Sequence, residues 1–511
     1  MVYVQVILPL RLSWEPWYSS ETELPAGTRV RVRLSQREYV GVVSGCSALP
    51  KIDRARVQGI LGVEEALDPI GPDELKFWRF IADYYLCSVG EVYKSVYPAG
   101  RTAVEERHPN SKTPDVLANA PEKHLRPCDK QAVVSVLEAF GQHKPVLLEG
   151  EAREAVYASL VRRTIADGKD ALLLRPGVSK PGYVCLRELS RAVRGASPTL
   201  IEGHRSLLFL PWRKLGLIIV DEEQDSAYKQ DSAPRYNARD AAVALGALHG
   251  ANVLLGSSSP SLESSFNVTA GRFSAVQGAG EEAPGAAPLL IDATAERRKN
   301  GLRGSLSLKL LDALAEEKNA GGRVLILFPW ADWRDIEIEL REAFPDNRFR
   351  YARISKVSRT EIAKARTVVV MCADALLGRG DFRSDERAYS ALLSVRRSCT
   401  GQFIIHGRDL QRPVFQALAS DGKDFRTALL AERKEFGYPP FSRLVELRIV
   451  DDNEPRKAKM TSELAKKMGG LQFMLPKDRS LASSKKKIAD GVAAFEKQFR
   501  YTGHIIIDVD P

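Results

Sequence analysis

Asp221, Glu222, Glu223 and Gln224 stand directly after a short apolar run, Leu215 to Val220. A run of that length reads as a buried central strand of a parallel sheet. Its C-terminal edge is where open α/β sheets bind ligands. In nucleotide hydrolases a first Asp at such an edge holds Mg²⁺ and a following Glu orients water, which makes Asp221 and Glu222 the candidate catalytic pair. The plainer alternative is a strand followed by an acidic turn, because short acidic motifs also arise by chance.

A phosphate cradle should accompany such a pair. Val146 to Gly150 reads as a strand entering a turn. A Gly-x-x-x-x-Gly-Lys-Thr loop there would offer backbone N–H groups to phosphate, a Lys to the β/γ charge and a hydroxyl to Mg²⁺. The chain instead runs Glu151-Ala152-Arg153-Glu154-Ala155-Val156-Tyr157, with no Lys. Gly150 and Arg153 are the remaining candidate nucleotide contacts. A planar guanidinium is a poor substitute for a compact ammonium, and Glu151 and Glu154 would repel a triphosphate.

A second group of residues suits DNA. Arg29, Arg31, Arg33 and Arg37 alternate with Val30, Val32 and Leu34 within Thr28 to Val43. Strand alternation would place the arginines on one face and the apolar residues on the other. Trp14, Trp17 and Tyr18 lie just upstream. Arginines with nearby aromatics suit single-stranded DNA through phosphate contacts and base stacking. A solvated strand face with core aromatics is the competing reading.

These segments must be positioned by several domains. The chain has 511 residues, 44% of them hydrophobic and 27% charged, and a net charge of +10. That describes a globular chain of about three domains with a preference for polyanions. No signal peptide and no membrane-spanning apolar run is evident, so a cytoplasmic protein with no membrane role is expected. The six cysteines are scattered without a Cys-x-x-Cys pair, which indicates neither a disulfide framework nor a zinc site.

Further motifs carry a family resemblance. Tyr228-Lys229-Gln230, Pro234-Arg235-Tyr236-Asn237-Ala238-Arg239-Asp240 and Gly256-Ser257-Ser258-Ser259-Pro260-Ser261 extend the acidic segment. Gly203-His204-Arg205-Ser206 with Phe209-Leu210-Pro211-Trp212, and Asp381-Phe382-Arg383-Ser384-Asp385-Glu386-Arg387, add to them. Together they resemble the PriA (primosomal protein N′) family of superfamily 2 replication-restart DNA helicases. The resemblance implies an α/β fold: two RecA-like helicase lobes, an N-terminal β-rich DNA-binding domain and a small C-terminal α/β domain. It places the N-terminal domain at 1–105, a linker at 106–124, the first lobe at 125–275, the second at 288–426 and the C-terminal domain at 427–511.

It further implies Arg205, Arg235, Tyr236 and Arg239 as DNA contacts beside Trp17, Tyr18, Arg29, Arg31 and Arg33. ATP and Mg²⁺ are the family's cofactors. Forked or single-stranded DNA, other primosome proteins and single-stranded-DNA-binding protein are its partners. The chain departs from the family in several places. Pro16, Ser35 and Gln58 stand where the 3′-end pocket usually has Phe, Gly and Lys. Gln224 replaces a His. No cysteine lies between Phe328 and Phe344, where the family inserts paired zinc ligands, and the second lobe's arginine-finger motif is reduced to Val395-Arg396-Arg397-Ser398. Zinc is therefore not expected. Three functions stay open: a DNA-binding restart-type protein with an inert ATPase core, a working helicase with a non-standard nucleotide site, and an interaction remnant with no DNA role.

Overall fold

The computed structural model describes all residues except 98–115, 118–126, 279–286, 347–348, 379, 421, 500 and 502–503. The expected linker at 106–124 lies outside the described residues but for 116–117, as does nearly all of the Gly-rich 278–287 stretch. The chain forms two compact units, one of 1–260, 267–279 and 441–511, the other of 261–266 and 280–440.

The first unit opens with six strands: β1 (Val2–Ile7), β2 (Trp17–Ser20), β3 (Arg29–Leu34), β4 (Arg37–Ser47), β5 (Gln58–Gly59) and β6 (Gly62–Val63), ordered β5-β2-β1-β4-β3-β6. The two edge strands are consecutive in sequence. Ile60 N–H donates to the Ser19 carbonyl and Leu61 N–H to the Arg31 carbonyl, so residues 58–63 close the sheet into a barrel. Closure removes the open edges that would otherwise invite pairing with another chain. Val4, Val6, Tyr18, Val30, Val32 and Val43 fill the interior.

The alternation across Thr28 to Val43 is broken by a two-residue hairpin turn. Ser35 and Gln36 take φ of 49° and 63°, the primed-turn geometry that matches strand twist. Arg37 therefore starts the next strand instead of continuing the stripe. Two helices, α1 (Pro72–Tyr84) and α2 (Val89–Val96), pack against the barrel. Gly90 admits that approach, since a Cβ there would lie 2.2 Å from the Leu8 and Leu10 carbonyl oxygens.

The next sheet contains β7 (Val116–Leu117), β8 (Val146–Glu149), β9 (Asp170–Leu174), β10 (Leu200–Gly203), β11 (Leu215–Asp221), β12 (Asn252–Ser257) and β13 (Ser274–Gln277), ordered β13-β8-β12-β11-β9-β10-β7. All pair in parallel except β7. β11 is buried along its whole length. Its Leu217 and Ile219 join the core on one face, and Ile218 and Val220 the core on the other. That explains the unbroken apolar run, because helices cover both faces of a parallel sheet. The unit ends with β21 (Ser442–Val450), β22 (Gln472–Pro476) and β23 (His504–Val509), an antiparallel sheet with helices Glu454–Met468 and Leu481–Phe499.

The second unit is built on β14 (Pro288–Asp292), β17 (Val324–Phe328), β18 (Arg350–Arg353), β19 (Thr367–Val370) and β20 (Gln402–Gly407), all parallel, ordered β14-β20-β19-β17-β18. A hairpin of β15 (Leu302–Arg303) and β16 (Leu306–Ser307) precedes helix Leu308–Asn319. The chain passes from β17 to β18 through the single helix Arg334–Ala343. The architecture is α/β, with two RecA-like parallel-sheet lobes, a β-rich N-terminal domain and a small C-terminal α/β domain. Among the described residues no helix is long and apolar enough to cross a membrane.

Two buried histidines make stability depend on pH. Burial pushes His406, on β20, down from 6.5 to about 4. Burial, then Arg205 and Lys180, push His204 down to about 4 as well. Both rings are neutral when folded, while the unfolded chain protonates them below its ordinary value. Their contribution is present above pH 6.5 and is lost as pH falls toward 4. Both His406 ring nitrogens lack a hydrogen-bond partner, so His406→Leu should fold. Urea midpoints followed through this pH window should fall less steeply in His406→Leu than in the wild type. An identical slope would contradict the assignment.

Candidate functional site

Strand register gathers one set of side chains at the C-terminal edge of the first lobe's sheet. Asp221 pairs with Gly256 across β11 and β12, and Val220 with Leu174 across β11 and β9. Ser257 pairs with Glu149 across β12 and β8. This brings Gly150, Arg175, Asp221, Glu222 and Ser258 to one edge. Helix α3 (Pro127–Phe140) precedes β8, the loop after β8 is short, and helix α4 (Glu154–Ala166) begins directly after Arg153.

Arg153 turns inward and is 3% exposed. Its Nη2 donates to Asp221 Oδ1 at 2.9 Å and to Glu222 Oε1 at 2.6 Å. Its Nε donates to the Tyr157 hydroxyl at 3.0 Å, and its Nη1 to the Gly150 carbonyl. Tyr157, one helical turn on, donates its own hydroxyl to Asp221 Oδ1 at 2.8 Å. Arg175 holds the other Asp221 oxygen at 2.9 Å and reaches Glu202 at 2.7 Å and Glu154. Glu222 takes φ of 50°. Its Oε2 accepts from Gln224 at 2.7 Å and from the Ser258 hydroxyl at 2.8 Å. Gln224 thus serves the carboxylate directly.

Burial alone would lower Arg153, but Tyr157, Glu222 and Asp221 outweigh it and hold the guanidinium protonated. Burial first, then the Asp221 charge, drives Tyr157 far above the ordinary phenol range, so it stays a neutral donor. The oxygens that Mg²⁺ would take from Asp221 and Glu222 are already bonded to a fixed cation, and the short loop offers no ammonium to phosphate. These residues do not fit a magnesium triphosphate. Among the described residues no group of three or more His, Cys, Asp or Glu is placed to hold a metal ion.

Tyr157 and Arg175 are parts of this cluster that motif matching overlooks, and Ser258 is a motif residue whose bond to Glu222 the motif does not disclose. A signal for Arg175 exists in the sequence: it ends a buried apolar strand, Leu172 to Leu174, just as Asp221 ends another. Gly256, from the same motif as Ser258, packs tightly against the cluster. A Cβ there would lie 1.6 Å from the Tyr157 hydroxyl oxygen.

The DNA candidates separate into covered and open positions. Arg31 and Arg33 are about half exposed, beside Glu64 at 3.8 Å and Glu38 at 2.7 Å. Trp17 is partly exposed, and Trp14 is 55% exposed. Arg29 leaves the stripe because α1 and α2 cover that end of the barrel. It is buried, donates to the Tyr93 hydroxyl at 3.0 Å and lies 4.4 Å from the Tyr97 ring centroid. Tyr18 points into the barrel, donates to the Arg33 carbonyl at 3.1 Å and is pushed up to about 12 by burial. It cannot stack on a base from there.

In the first lobe Tyr236 is buried edge-on against Phe209 at 5.2 Å, and Arg239 is buried against Glu223 at 3.4 Å and Asp240 at 2.8 Å. Arg205 donates to the Ala227 carbonyl, and Arg235 lies 3.8 Å from Asp508. These four bind the chain to itself, so the exposed stripe is narrower than the sequence suggests.

The segment after the carboxylates ties the unit together. The Tyr228 hydroxyl donates to the Asp221 carbonyl at 2.6 Å. Lys229 meets Asp508 at 2.8 Å in the C-terminal domain, and Asn237 N–H donates to the Tyr85 hydroxyl at 3.0 Å in the N-terminal domain.

Comparison with known proteins finds several to which this chain is similar. The model of the PriA 3′ DNA-binding domain (3′BD) matches residues 5–98. Replication restart protein PriA of Rickettsia conorii is 29% identical over 284 residues, 50% of this chain and 42% of the relative. PriA of Chlamydia pneumoniae is 33% identical over 236 residues, 40% of this chain and 32% of the relative. The alignments span less than half the length of these curated relatives. The solved structure of RecG bound to a three-way DNA junction is 11% identical with a TM-score of 0.36, covering 71% of this chain and 56% of that one.

The Tyr157–Gly256 contact makes a testable pair. Gly256→Ala forces the buried hydroxyl aside and should cost about 1–3 kcal/mol, as overpacking does. Tyr157→Phe removes the clashing oxygen. The double variant should therefore lose less than the sum of the two single losses in a denaturant-unfolding cycle. Strict additivity would show that the two residues do not collide.

Proposed function

We propose that this chain, a relative of the PriA replication restart proteins, binds single-stranded or forked DNA in a restart role without turning over ATP. The observation that carries the DNA part is the match of the 3′ DNA-binding domain model to residues 5–98. The half-exposed Arg31 and Arg33 on the closed barrel support it. Phosphate neutralisation by such residues releases counterions, so affinity falls as salt rises. The overall charge of +10 favours the same partner.

The inert core rests on Arg153. Phosphoryl transfer is almost entirely positioning and charge stabilisation. Here the stretch Glu151 to Arg153 stands as a degenerate phosphate loop, and the guanidinium occupies the oxygens meant for Mg²⁺. In the second lobe the arginine-finger position is reduced to Arg396 and Arg397, and Arg396 is buried and donates to the Ser420 carbonyl at 3.0 Å. An arginine finger is worth about 10³ to 10⁵ in rate. Turnover therefore stays at background. The family's primosome proteins and single-stranded-DNA-binding protein are the partners this reading implies.

Fluorescence anisotropy with labelled single-stranded and forked DNA tests the first part. Binding should weaken steadily with salt. Arg31→Ala with Arg33→Ala should reduce the slope of log K against log salt by about 1.4, roughly 0.7 for each lost phosphate contact. Absence of binding at low salt would defeat the proposal. Phosphate release measured on the same samples tests the second part. No DNA-stimulated hydrolysis is expected, and Glu222→Gln should change nothing. DNA-stimulated turnover that Glu222→Gln abolishes would establish a working helicase with a non-standard site instead.

A further inference from the structure

We propose that Arg153 is the resident cation of the Asp221–Glu222 edge, standing where a divalent ion would stand and making the fold of the first lobe independent of Mg²⁺ and nucleotide. This rests on the reading of an inert nucleotide site and goes beyond it, because it assigns the guanidinium a load that a metal otherwise carries.

The argument is one of charge and geometry. Four oxygens converge on one guanidinium: the Gly150 carbonyl, the Tyr157 hydroxyl, Asp221 Oδ1 and Glu222 Oε1. They are hard donors of the type that suits Mg²⁺ or Mn²⁺. Two adjacent buried carboxylates cannot both stay ionised without a nearby positive charge. Arg175 supplies a share at Asp221 Oδ2, but it is also bonded to Glu202 and Glu154. At Glu222 the Arg153 guanidinium meets Oε1 at 2.6 Å, while Oε2 accepts from the neutral side chains of Gln224 and Ser258.

The side chain is also locked in place. Gly256 leaves room for Tyr157 and Arg153 only because it lacks a Cβ, which would lie 3.0 Å from Arg153 Nε. A mobile arginine could yield to an incoming ion. One bonded to four oxygens and 3% exposed is part of the core.

Thermal melting of the full chain, read without any nucleotide turnover, tests this. The wild type should melt at one temperature in EDTA, in millimolar Mg²⁺ and in Mg²⁺ with ADP. Arg153→Ala should melt lower by roughly 3–5 °C, from the loss of a buried partner in a chain of 511 residues. Mg²⁺ or Mn²⁺ should then raise its melting temperature. If Arg153→Ala does not fold in EDTA, its folded yield in Mn²⁺ against EDTA gives the same comparison. Arg153→Lys keeps the charge and should melt above Arg153→Ala, at one temperature with or without Mg²⁺. A Mg²⁺-dependent rise in the wild type would overturn the proposal, as would an Arg153→Ala protein that no divalent ion stabilises. ATP hydrolysis by the wild type would sink the inert-site reading. A wild type without hydrolysis but with a Mg²⁺-dependent melt would sink the resident-cation proposal alone.

Discussion

The first lobe depends on a single electrostatic requirement: buried carboxylates at the end of a buried strand must be neutralised. Asp221 and Glu222 close β11, a strand with no exposed residue. Taking such charges out of water costs several kcal/mol each unless partners and hydrogen bonds compensate. Arg153 and Arg175 supply the partners, and Tyr157, Gln224 and Ser258 satisfy further oxygen positions. The short turn after β8, the start of α4 and the tight approach at Gly256 all follow from delivering one guanidinium to that spot.

The same logic runs outward from the cluster. Tyr228 caps the Asp221 carbonyl, its neighbour Lys229 binds Asp508, and Asn237 meets Tyr85. One short segment thereby joins the carboxylate edge to both flanking domains. The barrel uses an analogous device. Arg29 is buried against Tyr93 and Tyr97, and the Tyr93 hydroxyl in turn donates to the Val40 carbonyl at 2.9 Å. Cation and aromatic ring together pin α2 to the strands. Arginine does this well because its planar group stacks and donates at once.

What could be read beforehand follows from which forces act locally. The apolar run of β11 announces a central strand, since burial on both faces leaves no polar alternation. Val30 and Val32 against Arg31 and Arg33 announce a strand with two different faces. The turn at Ser35 and Gln36 was not legible, because neither residue is the glycine or asparagine that usually marks positive φ. Arg29 looked equivalent to Arg31 and Arg33, and only helices dozens of residues away decide that it is covered. Tyr236 and Arg239 matched a motif and still proved to be interior residues, because a motif records spacing and says nothing of what packs over it. Arg175 and Tyr157 are hidden for the complementary reason: strand register between β9 and β11 brings Arg175 to Asp221, and Tyr157 reaches it from one helical turn beyond Arg153.

The empty space above Gly256 bears on how such an edge can change over time. Tyr157 fills it, Arg153 leans on Tyr157, and the two carboxylates lean on both. Enlarging Gly256 expels the tyrosine, and removing the arginine strands the acids. Lengthening the loop after Gly150 moves the arginine away from them. Each single change is penalised by the side chains that it displaces or leaves without a partner. The residues around Asp221 therefore change only together, and sequence drift at any one of them is constrained by the shapes and charges of the others.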